Sequence, residues 1–137
     1  MQPEDRNAAY LWDMLDAART VLNFMAATSY DRYLQDRMLQ LAVERSLEII
    51  GEAARNVSLD FQLKHPGVPW KGIIAQRNVL AHEYGAIRQD LIWEVATVHR
   101  QILPPGLRRW YLHCRRRRNN KSFLPLSPSH KSPAACF

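Results

Sequence analysis

The stretch "LWDMLDAARTVLNFM", residues 11–25, decides the class of fold. Its apolar side chains recur at alternating spacings of four and three residues, which places them on one face of an α-helix. The members of this stripe are Leu11, Leu15, Ala18, Leu22 and Met25. The pattern therefore predicts a first helix over residues 4–28 that buries this face.

A second apolar stripe follows directly. Ser29 and Asp31 are residue types that cap a helix and occupy its first turn. The apolar positions that follow are Leu34, Met38, Leu41, Val43, Leu47, Ile50, Ala54 and Val57. They predict one continuous second helix over residues 31–57, about 40 Å long at 1.5 Å per residue.

Two further helices complete the expected domain. Residues 58–69 are rich in proline, glycine and polar residues, which is typical of a connecting loop. Pro69 can begin a third helix because the first turn does not need its N–H, and Gly85 can end that helix. Asp90 begins a fourth. No segment of useful length alternates with the period of a β-strand, so we expect an all-α antiparallel helical bundle.

The composition changes after the fourth helix. A Pro-Pro-Gly run at residues 104–106 interrupts the helical pattern, and the residues that follow are basic and rich in proline and serine. Such a segment lacks the patterned apolar residues needed to offset the loss of chain entropy on folding. We expect one helical domain over residues 1–103 and a disordered tail over residues 104–137.

The net charge of +6 also comes from the end of the chain. Residues 1–94 hold 10 Lys or Arg and 13 Asp or Glu, whereas residues 95–137 hold 9 basic residues and no acidic one. The overall charge therefore says little about an active site in the body. Cys114 and Cys136 form no disulfide or metal-binding pattern. Since neither a signal peptide nor an apolar span is visible, we expect a cytoplasmic protein.

The candidate active site is the run "RNVLAHEY", residues 77–84. RNA can be cleaved without a metal if one group moves protons and a cation stabilises the charge on the reacting phosphate. Histidine suits the proton transfers because its pKa lies near neutral pH, and arginine grips two phosphate oxygens with a permanent charge. These residue types predict that Arg77 and His82 are catalytic, with no metal or cofactor. The alternative to a catalytic site is that a hydrogen-bonded histidine and a half-buried tyrosine simply lie at the end of a helix.

The spacing of this motif sets a geometric condition. At about 100° per residue, Arg77 and Tyr84 lie on nearly the same helix face, whereas Arg77 and His82 lie about 140° apart. Arg77 and His82 can converge only if the helix ends near residues 81–82 or if a second subunit completes the site. Asn78 lies four residues before His82, where its amide could orient the imidazole.

Three glutamates form an acidic ridge on the predicted second helix. Glu44, Glu48 and Glu52 occupy successive i+4 positions. Such a ridge is usually solvated or paired with arginines. The alternative is that Glu48 or Glu52 supports the site by positioning Arg77. The Glu-x-x-His repeat of di-metal helical bundles is absent, which disfavours a metalloenzyme.

Three segments together resemble the HepT family of the HEPN superfamily. The segments are "SLEIIGEAARN" (46–56), "VPWKGIIAQRNVLAHEYG" (68–85) and "LIWEVATVH" (91–99). Ribonuclease members of the superfamily carry arginine, four residues, histidine, one residue and tyrosine. Arg77, His82 and Tyr84 match this pattern. The resemblance covers about residues 8–99.

The resemblance implies an all-α HEPN-like bundle that forms a homodimer and cleaves RNA without a metal, with Arg77 and His82 as the catalytic pair. It also implies the toxin of a type VII-like toxin–antitoxin pair. The partner would be an MNT-type nucleotidyltransferase antitoxin that silences the toxin by AMPylation of Tyr84. Transfer RNA is the substrate class that this resemblance suggests. The alternative is a non-catalytic HEPN-like accessory subunit that docks the nucleotidyltransferase.

Overall fold

The computed structural model describes residues 3–83, 85 and 87–98 of the chain. Over this range the protein forms six α-helices and no β-strand. The helices are α1 (Pro3–Met25), α2 (Tyr30–Gln35), α3 (Arg37–Asn56), α4 (Leu59–Lys64), α5 (Trp70–His82) and α6 (Gln89–Thr97). The central helix, α3, packs against both α1 and α5. The all-α class predicted from the sequence is confirmed.

The apolar face of α1 forms much of the core. Leu11, Leu15, Ala18 and Met25 are buried, as their spacing predicts, and Leu22 packs against the core from its edge. The buried positions of α3 complete the same core, because Val43, Leu47, Ile50 and Ala54 are buried in one cluster with the apolar face of α1. Burial of aliphatic side chains of this size stabilises a fold by about 1.5–3 kcal/mol each. The bundle is therefore held mainly by the α1–α3 contact.

The predicted continuous helix over residues 31–57 is wrong, because the chain breaks at Asp36. This residue has an extended backbone conformation (φ −105°, ψ 90°) and ends α2. Its carboxylate accepts a hydrogen bond from the Leu39 N–H (2.9 Å) and so caps α3. An N-cap of this kind satisfies a backbone donor that a helix start would otherwise leave unpaired. Two helices result where the apolar stripe predicts one.

The break also exposes part of the predicted stripe. Leu34, Met38 and Leu41 are 44%, 80% and 49% exposed, so the first part of the apolar stripe is not buried in the core. Tyr33 is fully buried instead. Gln40 is also buried and bridges the break, because its side-chain amide donates to the carbonyl oxygens of Tyr33 (3.1 Å) and Leu34 (3.2 Å). These hydrogen bonds satisfy the last carbonyl groups of α2.

The segment predicted as a loop over residues 58–69 contains a short helix, α4. Ser58 caps it by accepting from the Phe61 N–H, and Asn7 of α1 holds Ser58 through two hydrogen bonds of 2.8 and 2.9 Å. After α4 the chain turns back, and the Trp70 indole N–H donates to the His65 carbonyl (3.0 Å). Pro69 directly precedes α5, close to its predicted position at the helix start.

The end of α5 and the start of α6 frame the motif. The third helix ends before Gly85, as predicted, since α5 ends at His82. The fourth helix begins at Gln89, whose amide accepts from the Tyr33 hydroxyl (2.5 Å) and donates to the Glu44 carboxylate (2.6 Å). This buried network ties the start of α6 to α2 and α3. In the part of the chain that the structure describes, no helix has the length and apolar character of a membrane span.

Candidate active site

The site is built where α5 crosses α3 at Gly51. A Cβ added to Gly51 would lie 2.1 Å from the Cβ of Arg77 and 3.0 Å from the carbonyl oxygen of Ile73. Two carbon atoms that are not bonded to each other cannot approach to 2.1 Å, so only glycine at position 51 permits this crossing. Glycine in a helix costs about 1 kcal/mol relative to alanine, and close approach of the helices offsets that cost. The crossing therefore fixes the position of the Arg77 Cβ.

Arg77 is held beside an acidic partner. Its Nε lies 3.0 Å from Oε2 of Glu52, and its Nη1 donates to the side-chain oxygen of Asn78 (3.1 Å). The side chain of Arg77 is only 20% exposed. The Nε–Oε2 contact is an ion pair without hydrogen-bond geometry, and both atoms are buried without a hydrogen-bond partner in the described residues. The buried Nε is occupied by Glu52, and Nη2 has no partner among the described residues, so the Nη groups keep hydrogen-bonding capacity that a phosphate could satisfy.

The three glutamates of the acidic ridge have three different partners. Glu44 is buried and binds Gln89, with Arg37 at 3.6 Å. Glu48 forms a largely exposed ion pair with Arg45 (3.4 Å). Glu52 alone meets Arg77. The ridge is thus paired with arginines, and the structure gives Glu52 the contact expected of a residue that positions Arg77.

Arg77, Glu48 and Glu52 line one groove, which we call the α1–α3–α5 groove. Its volume is about 230 Å³. The lining residues are Tyr10, Asp13, Arg45, Glu48, Ile49, Glu52, Ala53, Asn56 and Arg77. The groove brings a fixed guanidinium, carboxylates, an amide and an aromatic ring together on one side of the molecule.

His82 lies apart from this groove within one chain. It is the last residue of α5 and is exposed, and the N–H of the following residue, Glu83, bonds to the Val79 carbonyl (2.9 Å). Arg77 and His82 both lie on α5 and are five positions apart, so at about 100° per residue their side chains diverge by about 140°. The helix end alone therefore does not bring the two together.

The other predicted site residues have separate outcomes. Asn78 contacts Arg77 in the structure, so a role in orienting His82 stays a prediction. Tyr84 lies outside the described residues, as does the tail predicted over residues 104–137. Across residues 3–83, 85 and 87–98, no group of three His, Cys, Asp or Glu side chains is arranged to hold a metal ion.

Sequence reasoning missed the contribution of α1 to the groove. Tyr10 and Asp13 lie one turn apart, beside the buried stripe, and both line the groove. Burial raises the pKa of Asp13, and the negative charge of Asp16 raises it further. The only signal in the sequence was an aromatic residue and a carboxylate three positions apart, which is too common to indicate a site.

The fold and the motif together define an all-α protein of the HEPN type, with an arginine fixed at a helix crossing and a histidine exposed at the end of the same helix. The family model described as "Ribonuclease HepT-like" matches residues 14–109. The chain belongs to this family.

Named relatives agree with this family. "Putative RNase MJ1380" of Methanocaldococcus jannaschii is 41% identical over 87 residues, covering 64% of this chain and 80% of the relative. "Putative RNase MJ0127" of the same organism is 40% identical over 93 residues, covering 68% and 77%. "Probable ribonuclease HepT" of Thermococcus cleftensis is 35% identical over 85 residues, covering 62% of this chain and 77% of the relative. No solved structure matches the chain.

Proposed function

We propose that this protein is a metal-independent endoribonuclease. Family membership and the names of its relatives support a ribonuclease. The observation that carries the proposal is the state of Arg77, which is fixed by Gly51 and Glu52 at the edge of a groove and whose Nη2 group has no partner among the described residues. A preorganised cation of this kind stabilises charge that develops on a phosphate during cleavage.

The chemistry needs one further group. In the proposed reaction His82 takes the proton from the ribose 2′-hydroxyl as the 2′-oxygen bonds to phosphorus, and then returns that proton to the 5′-oxygen as the bond from phosphorus to the 5′-oxygen breaks. Arg77 stabilises the pentacoordinate phosphate between these steps. Attack by the 2′-oxygen leaves a 2′,3′-cyclic phosphate on one fragment and a 5′-hydroxyl on the other. Imidazole suits both proton transfers because its pKa lies near neutral pH.

A homodimer explains how the two residues meet. Within one protomer the side chains of Arg77 and His82 diverge by about 140° around α5. In a symmetric dimer each surface patch faces its own copy, so Arg77 of one protomer can face His82 of the other. We therefore propose two equivalent sites in one cleft, each drawing one catalytic residue from each subunit.

Mixed dimers test this arrangement. Arg77→Ala and His82→Ala homodimers are each expected to be inactive toward RNA. After the two proteins are unfolded and refolded together, a mixed dimer has one site with both substitutions and one intact site. Cleavage is therefore expected to return to about a quarter of the parent rate, since half of the dimers are mixed and each has one of two sites.

The outcomes of this mixing experiment separate two parts of the proposal. An active parent with an inactive mixture would contradict the shared site while leaving the ribonuclease in place. A folded parent free of AMP that does not cleave RNA would contradict the ribonuclease itself. Dimer exchange is checked by mass spectrometry of differently tagged chains.

The wider role we propose is that of a cytoplasmic toxin in a type VII-like toxin–antitoxin pair, with transfer RNA as the substrate class. Its partner is an MNT-type nucleotidyltransferase that attaches AMP to Tyr84. This residue follows His82 by two positions in the family motif. AMP attached there would add a negative phosphate and a purine beside the catalytic pair. The phosphate would compete with RNA for Arg77, and the purine would exclude substrate.

The Tyr84→Phe variant tests this form of regulation. It is expected to accept no AMP from the nucleotidyltransferase, because phenylalanine has no hydroxyl, and to continue cleaving RNA in the presence of that enzyme. Intact-protein mass spectrometry measures the modification. Tyr30→Phe is a matched control that should still be modified in full. AMP attached at full stoichiometry to Tyr84→Phe would contradict the tyrosine assignment.

A further inference from the structure

We propose that the α1–α3–α5 groove binds one base of the substrate RNA and selects guanine, with Asp13 as the residue that reads it. This inference rests on the proposed ribonuclease function, and it adds a base-specific subsite next to Arg77.

The charge balance singles out Asp13. Two of the carboxylates in the groove have a cation, since Glu48 pairs with Arg45 (3.4 Å) and Glu52 pairs with Arg77 (3.0 Å). Asp13 lines the same groove and forms no ion pair or hydrogen bond with any described residue. Asp13 is exposed at the edge of the groove. Partial burial and then the negative charge of Asp16 raise its pKa. Its carboxylate is a hydrogen-bond acceptor that has no donor among the described residues.

The walls of the groove suit a flat ring. Tyr10 is half-buried against the core at one side, and Ile49 and Ala53 supply apolar surface from α3. Single-stranded RNA is commonly read by stacking an unpaired base on an aromatic side chain and contacting its pairing edge with polar groups. A volume of about 230 Å³ is below the range of about 300–1,000 Å³ for drug-sized ligands, which favours a group as small as one base.

The hydrogen-bonding groups select among the bases. An ionised carboxylate only accepts hydrogen bonds, through two oxygens. Guanine presents two adjacent donors on its pairing edge, N1–H and the N2 amino group, and these match the two oxygens. Uracil presents one N–H between two carbonyl groups, which would face the carboxylate with like partial charges. Adenine and cytosine each place an acceptor nitrogen beside their amino group. Asp13 therefore favours guanine.

The position of the groove beside Arg77 implies where the RNA would be cut. Because Arg77 lines the same groove, a guanine held there lies beside the residue proposed to bind the scissile phosphate. RNA would then be cut preferentially next to guanine in unpaired segments. The pairing edge must be free for Asp13 to reach it, so a base-paired guanine is not recognised.

Binding of mononucleotides tests the proposal without requiring catalysis. Isothermal titration calorimetry of the full chain is carried out with the 3′-monophosphates of guanosine, inosine and uridine. Inosine differs from guanosine only by the missing N2 amino group. Guanosine 3′-monophosphate is expected to bind at least about fivefold more tightly than the inosine compound, the lower limit for a good bidentate contact to a base. Equal dissociation constants for the three would overturn the proposal.

Two variants of α1 refine the test. Asp13→Asn is expected to weaken binding of guanosine 3′-monophosphate at least about fivefold and not to weaken binding of uridine 3′-monophosphate. The matched control, Asp16→Asn, removes the same charge one turn away from an exposed position outside the groove, and should preserve the preference for guanosine. If Asp13→Asn strengthens binding of all three nucleotides, the carboxylate acts only by repulsion and the proposal is overturned.

The binding experiment and the cleavage experiments fail independently. A chain that prefers guanosine and does not cleave RNA would contradict the proposed function and keep the subsite. A chain that cleaves RNA and binds all three nucleotides equally would keep the function and overturn the subsite. The comparison of guanosine with inosine uses the parent protein, so it does not depend on the folding of a variant.

Discussion

His82→Ala is expected to reduce the rate of RNA cleavage by roughly 100- to 10,000-fold, the usual contribution of a general acid or base. The imidazole is exposed at the end of α5, so its removal creates no cavity in the core. The thermal unfolding midpoint should therefore change little. Single-turnover cleavage of total RNA, with unfolding followed by circular dichroism on the same sample, measures both quantities.

A second histidine provides the control for this variant. His65 is also exposed and stacks on Phe61, with 4.1 Å between the ring centroids, at the end of α4. His65→Ala should cleave RNA at the parent rate. If His82→Ala and His65→Ala cleave equally well, His82 is not catalytic and the proposed mechanism is wrong.

Gly51→Ala is expected to destabilise the protein by about 3 kcal/mol, at the upper end of the usual cost of overpacking. The new methyl group would lie 2.1 Å from the Cβ of Arg77, so α3 and α5 must move apart. Backbone also blocks it, since the Ile73 carbonyl oxygen lies at 3.0 Å. The higher helix propensity of alanine returns only about 1 kcal/mol. Cleavage should fall as well, because the base of the Arg77 side chain is displaced.

Urea unfolding measures this effect against a matched glycine. Gly72 lies on α5, and a Cβ added there meets nothing within 4 Å. Gly72→Ala should therefore be neutral or stabilise by up to about 1 kcal/mol. Equal stabilities of Gly51→Ala and Gly72→Ala would show that the two helices do not approach as closely as described.

A double-mutant cycle locates the clash. Arg77→Gly removes the Cβ that the new methyl group would strike, whereas Arg77→Ala keeps it. Gly51→Ala should therefore cost less in the Arg77→Gly background than in the Arg77→Ala background, because contacting residues couple energetically. The same cost in both backgrounds would assign the strain to the Ile73 carbonyl alone.

The sequence predicted the helices well wherever burial follows a single stripe. The residues of α1 and the second half of α3 show this, because their apolar spacing matches one buried face. The break at Asp36 was missed because Leu34, Met38 and Leu41 continue the apolar spacing although their side chains are exposed. The available signal was local, since an aspartate can cap a helix, but aspartate is equally common on exposed helix faces.

The site was predictable only in part. Arg77 and His82 stand out as candidates in the sequence because their chemistry is distinctive and they lie close together, and their catalytic role stays a prediction. For the three glutamates of the acidic ridge the sequence left two alternatives open, and the contact of Glu52 with Arg77 belonged to one of them. The place of Asp13 in the groove could not be predicted, because it depends on how α1 packs on α3. The apolar periodicity indicates which face of each helix is buried. It does not indicate which polar residues beside those faces come into contact when two helices pack.

The most direct test of the central claim is the chemistry of the RNA ends. The purified protein, shown by mass spectrometry to carry no AMP on Tyr84, is incubated with total cellular RNA in EDTA, and the fragment ends are mapped. The account predicts cleavage that leaves 2′,3′-cyclic phosphate and 5′-hydroxyl ends. Intact RNA, or cleavage that occurs only after a divalent metal is added, would contradict it. Intact RNA under all conditions would favour the non-catalytic docking subunit instead.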